Sequence, residues 1–348
     1  MSSQFADSSR PSKTNVADRE NDAYGPSTAD TLRTPLTERD GVTLREEVRD
    51  FGALDERATS TRGGVWRWRD YIEEKRGVSA VFENSKGDRV TGGDPHRFAP
   101  EYADKQYAKL KDLERGVRDD YGKRLHTAML SFTCSTTDDS GEPRPPVDHL
   151  LELDESRYAV DRALDRALEG RRWERLAILE PHKSGHLHLH MAVFVDGPVT
   201  RETFAPVIEA HLRNCPGAGE EAHRLHHPDP KKRVVSVNHV GGDRAENTIE
   251  NLGTYLAEYL GTYGEDPLEA SEYVQIANTV LWATQKRRWR PSRGAQKYMA
   301  TNRTDDLLSD WELVAIRDGD GEEYEVSERS GGVATFTTGT DPPDPPPS

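Results

Sequence analysis

The clearest regularity in the chain is an alternation of apolar and polar positions that begins near residue 126. Ala128, Leu130, Phe132 and Cys134 alternate with Met129, Ser131, Thr133 and Ser135, and a period of two places successive side chains on opposite faces of a strand. Over residues 157–170 the period becomes helical, with Val160, Ala163, Leu164, Ala167 and Leu168 on one face and Gly170 as a stop. Residues 176–180 and 186–195 then read as strands, 202–213 as an amphipathic helix, 232–240 as a strand, and 247–264 as a helix ending at Gly264. The order strand, helix, strand, strand, helix, strand, helix predicts an α+β fold. It is the split βαβ arrangement of a ferredoxin-like or RRM-like antiparallel sheet, with helices packed on one face.

The flanks are plainer. Trp66, Trp68, Tyr71 and Ile72, then Tyr102, Tyr107, Leu110, Leu113 and Val117, recur at helical spacing and predict an accessory helical region over residues 61–125. Residues 1–60 hold no sustained apolar period and read as a disordered or loosely helical acidic tail. Residues 304–348, acidic and ending in DPPDPPPS, are expected not to pack.

Chemistry concentrates in the strand HLHLHMAVFV. His186, His188 and His190 share one face, while Leu187, Leu189, Met191, Val193 and Val195 share the other. The apolar face belongs against helices, so the histidines lie on the open face, where packing does not account for three imidazoles. Neutral imidazole is a common ligand for divalent metals. A five-residue loop PHKSG would place Glu180 opposite His186 on that face, with His182 in the loop. A mixed nitrogen and oxygen donor set suits Mn²⁺ or Mg²⁺ better than a closed zinc centre.

The helix over 247–264 carries Tyr255, Tyr259 and Tyr263 beside a core stripe of Ile249, Leu252, Leu256 and Leu260. Tyr255 and Tyr259 lie about 40° apart on the helix. Two readings are open: amphipathic residues flanking a buried stripe, or phenolic nucleophiles toward phosphorus. Downstream, Lys286, Arg287, Arg288, Arg290, Arg293, Lys297 and Arg303 interleave with Trp282, Trp289 and Tyr298 without an acid among them. Cations for phosphates and aromatic planes for unstacked bases are what single-strand binding requires.

These segments together resemble the HUH superfamily of rolling-circle replication initiators over roughly residues 126–300. FTCST is similar to the family's first motif, His188-Leu189-His190 to its metal-binding second motif, and YLAEYLGT to the paired-tyrosine third motif. The resemblance implies an HUH endonuclease domain over 126–303 and a metal-dependent endonuclease and strand transferase. In it His188, His190 and a third ligand, Glu180 or His186, hold Mn²⁺ or Mg²⁺. Tyr255 and Tyr259 are the implied catalytic residues, forming a covalent 5′-phosphotyrosine with single-stranded origin DNA. Arg287, Arg288, Trp289, Arg290, Arg293 and Lys297 are the DNA-binding candidates. Glu258 and Thr262 stand where relatives often carry lysine. A transposase or relaxase of the same superfamily, or a DNA-binding regulator that lost catalysis, are the alternatives. With no GxxxxGK[ST] in the chain, unwinding is expected from a host helicase and synthesis from a host DNA polymerase.

Composition sharpens this picture. A net charge of −15 over 348 residues argues at first against a polyanionic partner. Residues 1–60 hold 8 bases and 12 acids, and residues 304–348 hold 2 bases and 12 acids, so the span between is nearly neutral. Few lysines (12) beside 35 arginines and many acids resemble the surfaces of proteins from salt-loving archaea. Taken with the motifs, that composition is similar to the initiators of small haloarchaeal plasmids and viruses. Cys134 and Cys215, distant in sequence, suggest neither a disulfide framework nor a cysteine metal site. No apolar run approaches the roughly 18 residues that span a bilayer, so a cytoplasmic protein without membrane contact is expected.

Overall fold

The computed structural model of the chain describes residues 25–39, 42–49, 60–93, 96–229, 232–240, 266–299 and 311–325. Short helices α1 (Thr28–Thr31) and α2 (Glu46–Arg49) precede α3 (Thr61–Lys75), β1 (Ser79–Asn84), β2 (Arg89–Gly93) and α4 (Pro100–Tyr121). There follow β3 (Leu125–Phe132), α5 (Pro146–Ala167), β4 (Trp173–Pro181), β5 (Leu187–Asp196), α6 (Ala205–Asn214) and β6 (Val235–His239). The remaining elements are α7 (Glu272–Ala283), β7 (Trp289–Pro291), α8 (Arg293–Met299), β8 (Trp311–Arg317) and β9 (Glu323–Glu325).

The main sheet has the order β6-β3-β5-β4-β7, and every neighbouring pair is antiparallel. Its first four strands, with α5 and α6 as crossovers, make the α+β split βαβ unit that the periodicity predicts. β7 extends that unit by one short strand beyond β4.

One face of the sheet carries Leu187, Leu189, Met191, Val193 and Val195 of β5 and Ala128, Leu130 and Phe132 of β3. These pack with Leu150, Leu153, Val160 and Leu164 of α5, Val207 and Ile208 of α6, and the wholly buried Trp282 of α7. The expectation of helices on one face only is corrected here. Met129 of β3, Leu176 and Ile178 of β4, and Ala192 and Phe194 of β5 form a second core with Leu110, Leu113, Val117 and Tyr121 of α4. On α4 these four recur at spacings of three and four, a stripe turned toward the sheet. The sheet is thus covered on both sides.

Both tails also depart from expectation. Leu36, Leu44 and Val48 join the main core, because isolated apolar residues can pack against a large core without a periodic element of their own. β8 and β9 pair with β1 and β2 in a second sheet of order β2-β1-β8-β9. The predicted helical region 61–125 contains two strands, and part of the acidic C-terminal stretch packs: in Trp311–Arg317, Ala315 is buried opposite Val81 of β1. Among the described residues no helix is long and apolar enough to cross a membrane.

Candidate active site

β5 is longer than the patch that α4 covers, and what it carries beyond that patch is polar. Along the α4 side of the sheet, Phe194 and Ala192 are succeeded by His190 and His188. Across the strands, Ser131 of β3 pairs with His190, Ile178 of β4 pairs with His190 on the other side, and Trp289 of β7 pairs with Ile178. Ser131, His190, Ile178 and Trp289 form one row across four strands, and at strand spacing Trp289 stands about 10 Å from His190.

The hairpin register differs from the expected one. Glu180 pairs with His188, and the loop is 182–186, closed by His182 N–H donating to the His186 carbonyl at 2.7 Å. Pro181 stays in the strand, paired with Leu187, and Gly185 at φ +89° makes the turn. The shift is of two positions, so Glu180 keeps the face that it shares with His188 and His190. A Cβ on Gly185 would come within 2.6 Å of Ile276 on α7. Gly185→Ala is therefore expected to cost about 3 kcal/mol of stability, from the left-handed backbone and the overpacking together. Urea denaturation would check it; a loss under 1 kcal/mol, as at an ordinary surface site, would contradict this account.

His190 is the best-held side chain of the group. It is buried, its Nδ1 lies 2.9 Å from Ser131 Oγ, and its Nε2 lies 2.6 Å from Glu180 Oε2. Two lone pairs at that separation repel, so a proton or a cation must lie between them. With Nδ1–H donating to Ser131, Nε2 turns its lone pair toward Glu180, which is the arrangement that orients metal-binding imidazoles. The ring of His188 sits 6.4 Å from that of His190 and stacks on His182 at 5.0 Å. Desolvation first, then the neighbouring His182 and His190, hold the His188 pKa well below the ordinary histidine value. It is therefore neutral and able to ligate near pH 7. Two imidazole nitrogens and a carboxylate oxygen fit Mn²⁺ or Mg²⁺ by donor chemistry.

His186 sits elsewhere. It is wholly buried, with Nε2 donating to the Arg144 carbonyl at 2.9 Å and Nδ1 2.9 Å from Ser184 Oγ. Burial pushes its pKa down to about 4. Both nitrogens are committed, because residue 186 falls in the hairpin loop and not on the strand. Ser131, which holds His190, was visible in the sequence only as a polar position on the strand face that also carries Met129 and Thr133.

The basic stretch is partly structural. Arg290 pairs with Asp154 at 3.1 Å and Lys286 with the same carboxylate at 2.6 Å, while Arg288 binds Asn278. Trp282 is interior and cannot stack on a base. Trp289 is half-buried, with its indole N–H 3.4 Å from the Tyr102 hydroxyl. Arg287 is also half-buried, whereas Arg293 and Lys297 on α8 are exposed. Tyr255 and Tyr259 lie outside the described residues.

Several polar side chains that the sequence did not single out gather where β3 ends. His211 Nε2 donates to the Thr133 carbonyl at 3.0 Å, His223 Nε2 accepts from the Thr133 amide at 3.2 Å, and His149 Nε2 donates to the Cys134 carbonyl at 3.1 Å. These are buried structural histidines that replace ladder partners for a strand that has run out. Beside them Cys134, Glu152 and Cys215 place their ligand atoms within 4.8 Å of one another, a group able to hold a metal ion. The two cysteines, far apart in sequence, are thus brought together by the fold.

The chain has relatives among known proteins. Residues 35–333 match the model of a family described as "Putative rep protein (DUF1424)". An uncharacterized 36 kDa protein of Halobacterium salinarum is 44% identical over 284 residues, 81% of this chain and 90% of that protein. Another, from Halobacterium sp. (strain GN101), is 42% identical over 298 residues, 83% of this chain and 91% of its own length. No solved structure matches.

Proposed function

The chain belongs to the rep-protein family matched over residues 35–333, and from that premise we propose that it initiates rolling-circle replication by nicking and rejoining one DNA strand at an origin. The observation that carries this reading is the pairing of His190 with Glu180 at 2.6 Å beside His188, on one end of a split βαβ sheet. On this reading residues 126–303 are an HUH-type endonuclease domain. His188, His190 and Glu180 would hold Mn²⁺ or Mg²⁺, which when bound would withdraw charge from the scissile phosphate.

The phenolic oxygen of Tyr255 or Tyr259 attacks the phosphorus, losing its proton to solvent. The 3′-oxygen leaves and takes up a proton, so the phosphoryl group stays on the tyrosine through the 5′ end. The freed 3′-hydroxyl primes synthesis by a host polymerase behind a host helicase, and the second tyrosine resolves the displaced strand by the same exchange. Ser131 keeps His190 in the ligating tautomer. Arg293 and Lys297 meet phosphates, and Trp289, in the row that contains His190, offers a plane for an unpaired base; Arg287, Arg288 and Arg290 add positive charge around it.

The test is incubation of the purified chain with a labelled single-stranded origin and Mn²⁺. A covalent adduct that survives denaturation is expected, and it should vanish in the Tyr255→Phe, Tyr259→Phe double variant. An adduct that persists in the double variant would overturn the nucleophile assignment. Absence of any adduct on every candidate origin would favour a DNA-binding regulator, and transfer of excised ends to unrelated DNA a transposase.

A further inference from the structure

We propose that Cys134, Cys215 and Glu152 hold a second divalent ion, of the thiophilic kind typified by Zn²⁺, at a buried site separate from the histidines. The three ligands come from three places. Cys134 lies two residues past the end of β3, Glu152 is on α5, and Cys215 is the C-cap of α6. Both cysteines are free and buried, 4% and 1% exposed. An ion there would tie both crossover helices to the strand that carries Ser131.

The surroundings fit an ion on two further counts. The Arg144 guanidinium donates to Cys134 Sγ at 3.1 Å and pairs with Glu152. Two thiolates and a carboxylate bring three negative charges, which a divalent ion and Arg144 cancel, so loading releases two protons and leaves no unpaired buried charge. Gly217 closes the other side. Its N–H donates to Glu152 Oε2 at 3.2 Å, and a Cβ there would stand 2.4 Å from Cys134 Sγ. A side chain at 217 would occupy the space among the ligands.

The test is titration of the full-length, reduced, metal-free protein with Co²⁺, read as sulfur-to-cobalt charge transfer in the near ultraviolet. The expected result is a band that saturates at one ion per chain, weakens in Cys134→Ser and in Cys215→Ser, vanishes in the double variant, and persists in His188→Ala, His190→Ala. Gly217→Ala, which leaves both sulfurs in place, should weaken Co²⁺ binding by at least about tenfold. No band in the wild type overturns the site, as does an undiminished band in the double cysteine variant. A cysteine disulfide in protein prepared without reductant, coupled to absence of the band after reduction, would reassign the pair to redox chemistry. The persistence of the band in the histidine variants separates this site from the proposed nicking centre.

Discussion

His190→Ala is expected to lower strand nicking by about three orders of magnitude, with the fold intact. His190 is the one imidazole that touches both Ser131 and Glu180, so its loss removes a donor and frees the carboxylate that faces it. Removing one group that stabilises charge at a reacting phosphate costs about 10²–10³ in rate where comparable sites have been altered. Ser131→Ala is the graded companion. It leaves every ligand in place and only releases the Nδ1 hydrogen bond, so the effect should fall on metal affinity by about 10- to 100-fold. The check is cleavage rate against Mn²⁺ concentration. Ser131→Ala should recover near wild-type rate at high Mn²⁺ and His190→Ala should not. A His190→Ala variant that cleaves at the wild-type rate would end the metal assignment.

Acid should unfold the protein through the histidines at the end of β3. Burial lowers the His211 pKa from its ordinary value of 6.5 to about 4, and burial lowers that of His223 as well. In the pH interval between those two values the unfolded chain binds a proton that the folded chain refuses. Stability contributed by the neutral imidazole is thus complete above about pH 6.5 and declines as pH falls toward 4. For His211 alone the loss is roughly 3 kcal/mol across that window. Denaturant unfolding measured from pH 7.5 to 4 would show it. His211→Gln can still donate to the Thr133 carbonyl without titrating, so its stability should fall less steeply with acid; an unchanged slope would assign the acid sensitivity to other groups.

The parts of this fold that sequence made legible were those governed by a period. Val160, Ala163 and Leu164 marked α5, the alternation through β5 put His188 and His190 on one face, and that through β3 put Ser131 opposite its apolar side. Turn geometry has no period. The two-position error at the hairpin arose because Pro181 continues the strand and Gly185 sets the turn, which moved His186 from the metal candidates to the interior. The second helical layer did leave a signal: from Met191 to Val195 β5 is apolar at every position, as a strand covered on both faces must be. Long-range meetings left none. Neither the Cys134 and Cys215 pair nor the attachment of Arg290 to Asp154 can be read from spacing, because each depends on where α5 and its neighbours come to rest. The same blindness made the basic stretch look freer than it is: lysine and arginine are legible as charge, but their carboxylate partners are not.

The small second sheet has a consequence for synthesis. β8 lies between β1 and β9, with Ser79 opposite Arg317 and Asn84 opposite Trp311. The β1–β2 hairpin thus leaves the ribosome long before the strand that completes it. Until residues 311–317 emerge, β1 presents a row of unpaired amides and carbonyls on that side. Closure of this sheet is therefore among the last events of folding, and a nascent or truncated chain ending before residue 311 carries an open edge able to capture a strand from another copy.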